Sequence, residues 1–224
     1  MKSAVWSLVI VLVLAATSAQ AASGTTLLRP FMTFEGERAS GPKAAAPIVG
    51  DTHDFWVWDL TVMPPADVQV TATCRGVSDH AYVFVEDTAW NDTMTQADVD
   101  AVLAAWDEES PAGSIDPEQG VYDIETELYG APPDVDGWPG IVLLYYDMGC
   151  FAGTCFDGFY RYDDQLAVPH SNEMDMLHLA AANEAPGEPY MLGVTAHEFN
   201  HLLQMTYDQD EYMWLSEALA EAAM

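Results

Sequence analysis

Short runs of aromatic and β-branched residues, cut by Pro, Gly and Asp, open the patterned part of this chain. Residues 55–60, 68–73 and 80–86 carry that signature and predict three β-strands. The period then changes. Val99, Val102, Leu103 and Trp106 recur at helical spacing behind a Thr95/Asp98 capping box, so residues 95–106 are expected to form a helix that serves packing. A weaker helix is expected over residues 122–129, stopped by Gly130 and Pro132. Residues 141–146 are an unbroken apolar run behind Pro139-Gly140, the mark of a central strand. A long loop rich in Gly, Asp and aromatics should follow over residues 147–172, then a strand over 174–179 whose edge could accept a peptide as an extra strand. Leu192, Ala196, Phe199 and Leu203 return to helical spacing, and Trp214 and Leu215 mark a second, shorter helix. The fold class is therefore α+β: a mixed β-sheet followed by two helices.

The chemistry is concentrated on those last two helices. Thr195-Ala196-His197-Glu198-Phe199-Asn200-His201 places two histidines four apart, one turn from each other on one helix face, where both imidazoles reach one ion. Glu198 lies about 100° round the helix from His197, close enough to hold a water without ligating the metal, which suits a general base. Zinc needs a third protein ligand if water is to keep the fourth position, and Glu217, flanked by Trp214, Leu215 and Ala218, is the candidate. Asp208, Asp210, Glu211 and Glu221 compete for that role. The first three look more like a turn and the acidic start of the second helix. A third histidine further along is absent, because Gln204 and Tyr207 occupy the positions where a longer signature has Gly and His. His178 on the last strand reads as structural rather than catalytic.

Composition narrows the setting. Half of the 224 residues are hydrophobic, enough for one sizeable core. Residues 1–21 read as a secretory signal peptide, with Lys2, an apolar segment and Ala19-Gln20-Ala21 as the cleavage site. No stretch is long enough to span a membrane, and the mature chain is expected to be secreted. Without Lys2 it carries 5 basic and 36 acidic residues, about −31, which disfavours nucleic acid and anionic membrane surfaces as partners. Residues 22–50 hold three of the five remaining basic residues and an Ala/Pro/Gly-rich run. They read as an irregular N-terminal arm or propeptide remnant ahead of a catalytic domain over residues 51–224. Cys150 and Cys155 are the natural disulfide pair, leaving Cys74 as a buried thiol. Asp134-Val135-Asp136-Gly137 could contribute to a Ca2+ site but lacks the other ligands of a calcium loop, and a plain turn is the simpler reading. No signal for an oligomeric state is visible.

The pairing of His197-Glu198-Phe199-Asn200-His201-Leu202-Leu203-Gln204 with Trp214-Leu215-Ser216-Glu217-Ala218 resembles the gluzincin zinc metallopeptidases, most nearly the secreted bacterial hyicolysin type and more loosely the immune-inhibitor type. The resemblance implies a zincin-like fold and a secreted zinc endopeptidase acting on protein or peptide substrates. In it, His197, His201 and Glu217 would be ligands to one Zn2+ and Glu198 the base. Ser216 and Ala218 stand where that family usually has Asn and Gly. The chain stops at Met224, whereas such peptidases continue into a helical subdomain that supplies a transition-state donor, so a C-terminal truncation is expected, with Tyr207 and Tyr212 as stand-in donors. The competing reading is a non-catalytic acidic binding or adhesion module whose zinc site is structural or inactive.

Overall fold

The apolar run at 141–146 is the centre of the sheet. In the computed structural model, which describes residues 27–40 and 45–224, it forms β4 (Ile141–Tyr146), with all six residues buried. Burial on both faces is the condition under which a strand reads as continuously rather than alternately apolar. Around it lies a six-stranded sheet in the order β1-β2-β3-β4-β8-β7. β1 (Thr52–Asp59), β2 (Ala66–Val77) and β3 (Ala81–Glu86) are antiparallel neighbours, with an irregularity between Cys74 and Gly76. β3, β4 and β8 (Met176–Ala180) run parallel, and β7 (Gly158–Phe159) lies antiparallel to β8. The mixed α+β class expected from the pattern is what the chain adopts. The signal peptide expected at 1–21 lies outside the described residues.

β1 and β2 extend beyond the runs expected at 55–60 and 68–73. Thr52, His53 and Asp54 are exposed, and polar cross-strand bonds hold this end: the Thr71 hydroxyl donates to Asp54 Oδ1 at 2.6 Å. A polar run with neither face buried carries no period, so the sequence pattern missed it.

Two expectations need correction. The strand expected at 174–179 begins at Met176, and it is not a free edge along its length: β4 pairs on one side of it and β7 covers His178 and Leu179 on the other. A peptide cannot pair with that covered part. The long loop expected at 147–172 also contains structure: a hairpin of β5 (Cys150–Phe151) and β6 (Thr154–Cys155) closed by the Cys150–Cys155 disulfide, then β7, then a 3-10 turn over Tyr162–Gln165. Two-residue strands are too short to show a period. Cys74 is buried as expected, and burial above all pushes its thiol up to about 11.

The sheet curls until its two ends meet. Trp58 of β1 stacks on Phe159 of β7 at 5.6 Å, and Asn172 both accepts from the Trp56 N–H at 2.8 Å and donates to the Trp56 carbonyl at 2.9 Å. The outer edge of β1 is thereby covered, as exposed sheet edges commonly are.

Among the described residues four α-helices complete the fold. α1 (Gln96–Asp107) packs on β2 and β3, and the Asp98 carboxylate accepts from the Thr95 N–H at 2.8 Å at its start. α2 (Val121–Tyr129) ends where Gly130 takes φ +95°, a conformation glycine adopts without steric cost. α3 (Pro189–Tyr207) starts with proline at its first position and is buried at every residue from 191 to 203. α4 (Met213–Ala223) lies against α3. Among the described residues no helix is long and apolar enough to cross a membrane.

α3 is fixed by aromatic contacts. Phe199, fully buried, meets the Trp106 ring at 4.8 Å and stacks on Tyr122 at 5.7 Å. Phe199→Ala is expected to destabilise the fold by about 3–5 kcal/mol, because the rings around it belong to two other helices and cannot collapse into the space. Chemical denaturation measures this, and a loss under about 1 kcal/mol would mean that α3 is not anchored there.

Candidate metal centre

Helical spacing does most of the local assembly. His197 and His201 lie one turn apart on α3, and their Nε2 atoms are 3.2 Å from each other. The crossing of α4 then brings Glu217 to them: its Oε1 is 3.3 Å from His201 Nε2 and its Oε2 3.7 Å from His197 Nε2. His197, Glu198 and His201 offer ligand atoms that all lie within 4.8 Å of one another and are buried, a group that can hold a metal ion. Glu217 keeps 23% of its side chain exposed. Burial first, and the neighbouring His201 second, push His197 down to about 4, so it is neutral at pH 7, the state a metal ligand needs.

The donor set can be tested for size. Four donors at about 2.1 Å in a tetrahedron stand about 3.4 Å from each other. The separations here are 3.2, 3.3 and 3.7 Å between two imidazole nitrogens and one carboxylate. The residues fit a small divalent ion with mixed N and O ligands. Two of the other acids considered as third ligand are bonded elsewhere: Asp208 Oδ1 accepts from the Asp210 N–H at 3.1 Å, and Glu211 Oε1 from the Tyr212 N–H at 2.6 Å. Contrary to the helix-start reading, none of Asp208, Asp210 and Glu211 lies in the first turn of α4.

Several partners of the site were not legible in the sequence. Glu198 Oε2 accepts the backbone N–H of Tyr160 at 3.0 Å, which ties the acid to the segment just after β7. Any residue but proline supplies such a donor, so no side-chain pattern announces it. Ser216 Oγ sits 3.1 Å from His201 Nδ1, an outer contact that fixes an imidazole's orientation. Asn200 donates to Glu125 Oε2 at 2.7 Å, and Gln204 bonds both Asn200 and the Ser216 carbonyl. Burial pushes the Glu125 carboxyl up to about 7.

Other candidates fall outside this group. His178 is fully buried, with Nε2 2.8 Å from Asp164 Oδ2 and its ring stacked on Phe159, a structural role. The Tyr207 hydroxyl donates to the Ala131 carbonyl at 2.9 Å, and Tyr212 is largely exposed at the start of α4. In the 134–137 turn, Asp136 Oδ1 accepts from the Trp138 N–H at 2.9 Å and Oδ2 from the Asp175 N–H at 3.3 Å. Those bonds give the turn a structural reading.

Asp175 provides a pH signature. It is 2% exposed, and burial above all, with Asp136 and Asp134 adding to it, pushes its carboxyl up to about 7 against bonds from the Val135 N–H and Gln165. A folded pKa above the ordinary carboxyl value means the native chain holds the proton more tightly than the unfolded chain. Stability from this group is full below about pH 4 and lost as pH rises towards 7. The chain is expected to lose roughly 1–3 kcal/mol between pH 5 and 8, and Asp175→Asn to flatten that slope. Thermal melts across the range decide; equal slopes in both proteins would exclude Asp175 as the source.

No protein-family model matches the chain, and no curated protein matches it.

Proposed function

We propose that this chain is a secreted zinc-dependent endopeptidase of zincin-like design. The observation that carries the reading is the convergence of His197, His201 and Glu217 at tetrahedral spacing with a second acid, the buried Glu198, beside them. A structural zinc site uses four protein ligands, whereas three ligands leave a place for water. The Cys150–Cys155 disulfide supports an oxidising compartment.

Bound zinc would supply a Lewis acid that polarises a peptide carbonyl and lowers the pKa of a water. The protein's own residues carry the rest. His197, His201 and Glu217 hold the ion, and Ser216 orients the His201 ring through Nδ1. Glu198 takes the proton from the attacking water on a carboxylate oxygen and returns it to the leaving amine. The Tyr160 N–H, on Glu198 Oε2, keeps that carboxylate facing one way through both transfers.

Metal analysis of the purified chain alongside casein-type hydrolysis tests the proposal. One zinc per chain and hydrolysis that stops on chelation is the expected result; a chain that takes up no zinc sinks it.

A further inference from the structure

Glu217 reaches the two histidines only if α4 lies across α3 at the right angle, and little apolar packing sets that angle. Along α4 only Ser216 and Ala220 are buried, one turn apart, while Met213 and Trp214 stay exposed. Two small side chains let the helices come close. They oppose rotation of one helix over the other only weakly, because interlocking rows of larger side chains are what fix a crossing. The turn between the helices, residues 208–212, is mostly exposed and adds little.

A polar contact supplies the missing constraint. Gln204 lies on the same face of α3 as His197 and His201, one turn beyond the second histidine. Its Nε2 donates to the Ser216 carbonyl at 3.2 Å, and that carbonyl belongs to the peptide unit joining Ser216 to Glu217. Nε2 also donates to Asn200 Oδ1. Asn200 is fully buried, and Glu125 of α2 orients its amide: Nδ2 donates to Glu125 Oε2 at 2.7 Å, which leaves Oδ1 for Gln204. Glu125 and Asn200 thus decide which end of the Gln204 amide points at α4.

The arrangement carries a cost at one atom. Gln204 Oε1 is buried without a hydrogen-bond partner. A Leu or Met of similar size would escape that cost, so packing alone does not account for a glutamine at this position.

We propose that Gln204 is a positioning residue for the third metal ligand: braced by Asn200 and Glu125, it holds the backbone beside Glu217 and keeps α4 at the crossing that brings this carboxylate to His197 and His201. The proposal rests on the metal-binding half of the peptidase reading and not on hydrolysis.

The test measures zinc affinity of the full chain by competition with a chromophoric chelator, in a cycle of Gln204→Leu, Glu217→Ala and the double variant. Gln204→Leu is expected to weaken binding about 10–100-fold, the range for loss of an outer partner. In the Glu217→Ala background the same change should cost less than about two-fold, because a residue that acts through another has nothing left to act on. Co2+ loaded in place of zinc gives a second readout. Its visible bands should change in Gln204→Leu in the same sense as in Glu217→Ala, which a general loss of stability would not produce. Unchanged zinc affinity in Gln204→Leu, or an equal loss in both backgrounds, would overturn the positioning role and leave the peptidase reading standing. The expected coupling in a chain that hydrolyses no peptide would uphold Gln204 and count against the peptidase instead. Should Gln204→Leu melt early, Gln204→Met, unbranched and close to glutamine in length, carries the same cycle.

Discussion

Glu198→Gln is expected to leave one zinc per chain and to lower peptide hydrolysis by a factor on the order of 10²–10⁴, the range a general base contributes. The substitution is close to isosteric. Glu198 is 1% exposed and receives the Tyr160 N–H, and a glutamine amide oxygen can accept that same bond, so the fold and the neighbouring histidines stay as they are. What would disappear, on the proposed mechanism, is the capacity to take a proton from water and pass it to the leaving amine. Zinc content and casein-type hydrolysis, measured on one sample of each protein, separate the possibilities. Hydrolysis retained in the variant would place the base elsewhere. Zinc present with no hydrolysis in either protein would favour a non-catalytic acidic binding module that keeps a metal for its structure. Loss of zinc from the variant would mean that Glu198 supports the ion itself.

Glu217→Ala is expected to weaken zinc binding by more than about 100-fold, beyond the 10–100-fold that loss of an outer partner costs. Two imidazoles 3.2 Å apart remain after the change, with Glu198 near them but held by the Tyr160 N–H. Asp208 and Glu211 are turned to backbone N–H groups of their own turn, and Glu221 is exposed on α4. Competition with a chromophoric chelator measures the change. Glu221→Ala is the matched control, expected to leave affinity as it was. A larger loss from Glu221→Ala than from Glu217→Ala would move the third ligand one turn along α4.

The same contrast separates what could be read from residues and what needed three dimensions. His197, Glu198 and His201 are neighbours by the helical period alone, so their geometry exists as soon as α3 forms and is visible as a spacing in the sequence. Likewise the run at 141–146 announced a strand buried on both faces, and Thr95 with Asp98 announced a helix start, because each signal is carried by residues within one turn or one strand of each other. Glu217 was singled out by its apolar flanks, but Trp214 is 70% exposed and Ala218 is exposed too, and its distance to the histidines depends on how α4 crosses α3. The cover on β8 by β7, the meeting of Trp58 with Phe159, the Tyr160 N–H on Glu198 and the arm lying against Tyr162 join residues tens of positions apart. Such contacts use backbone groups that every residue has, or rings that pack wherever an apolar surface is offered. Local pattern therefore determined the elements and the His197/His201 pair, while the approach of Glu217, the fixed orientation of Glu198 and the seating of the N-terminal arm were decided only by the packing of the whole chain.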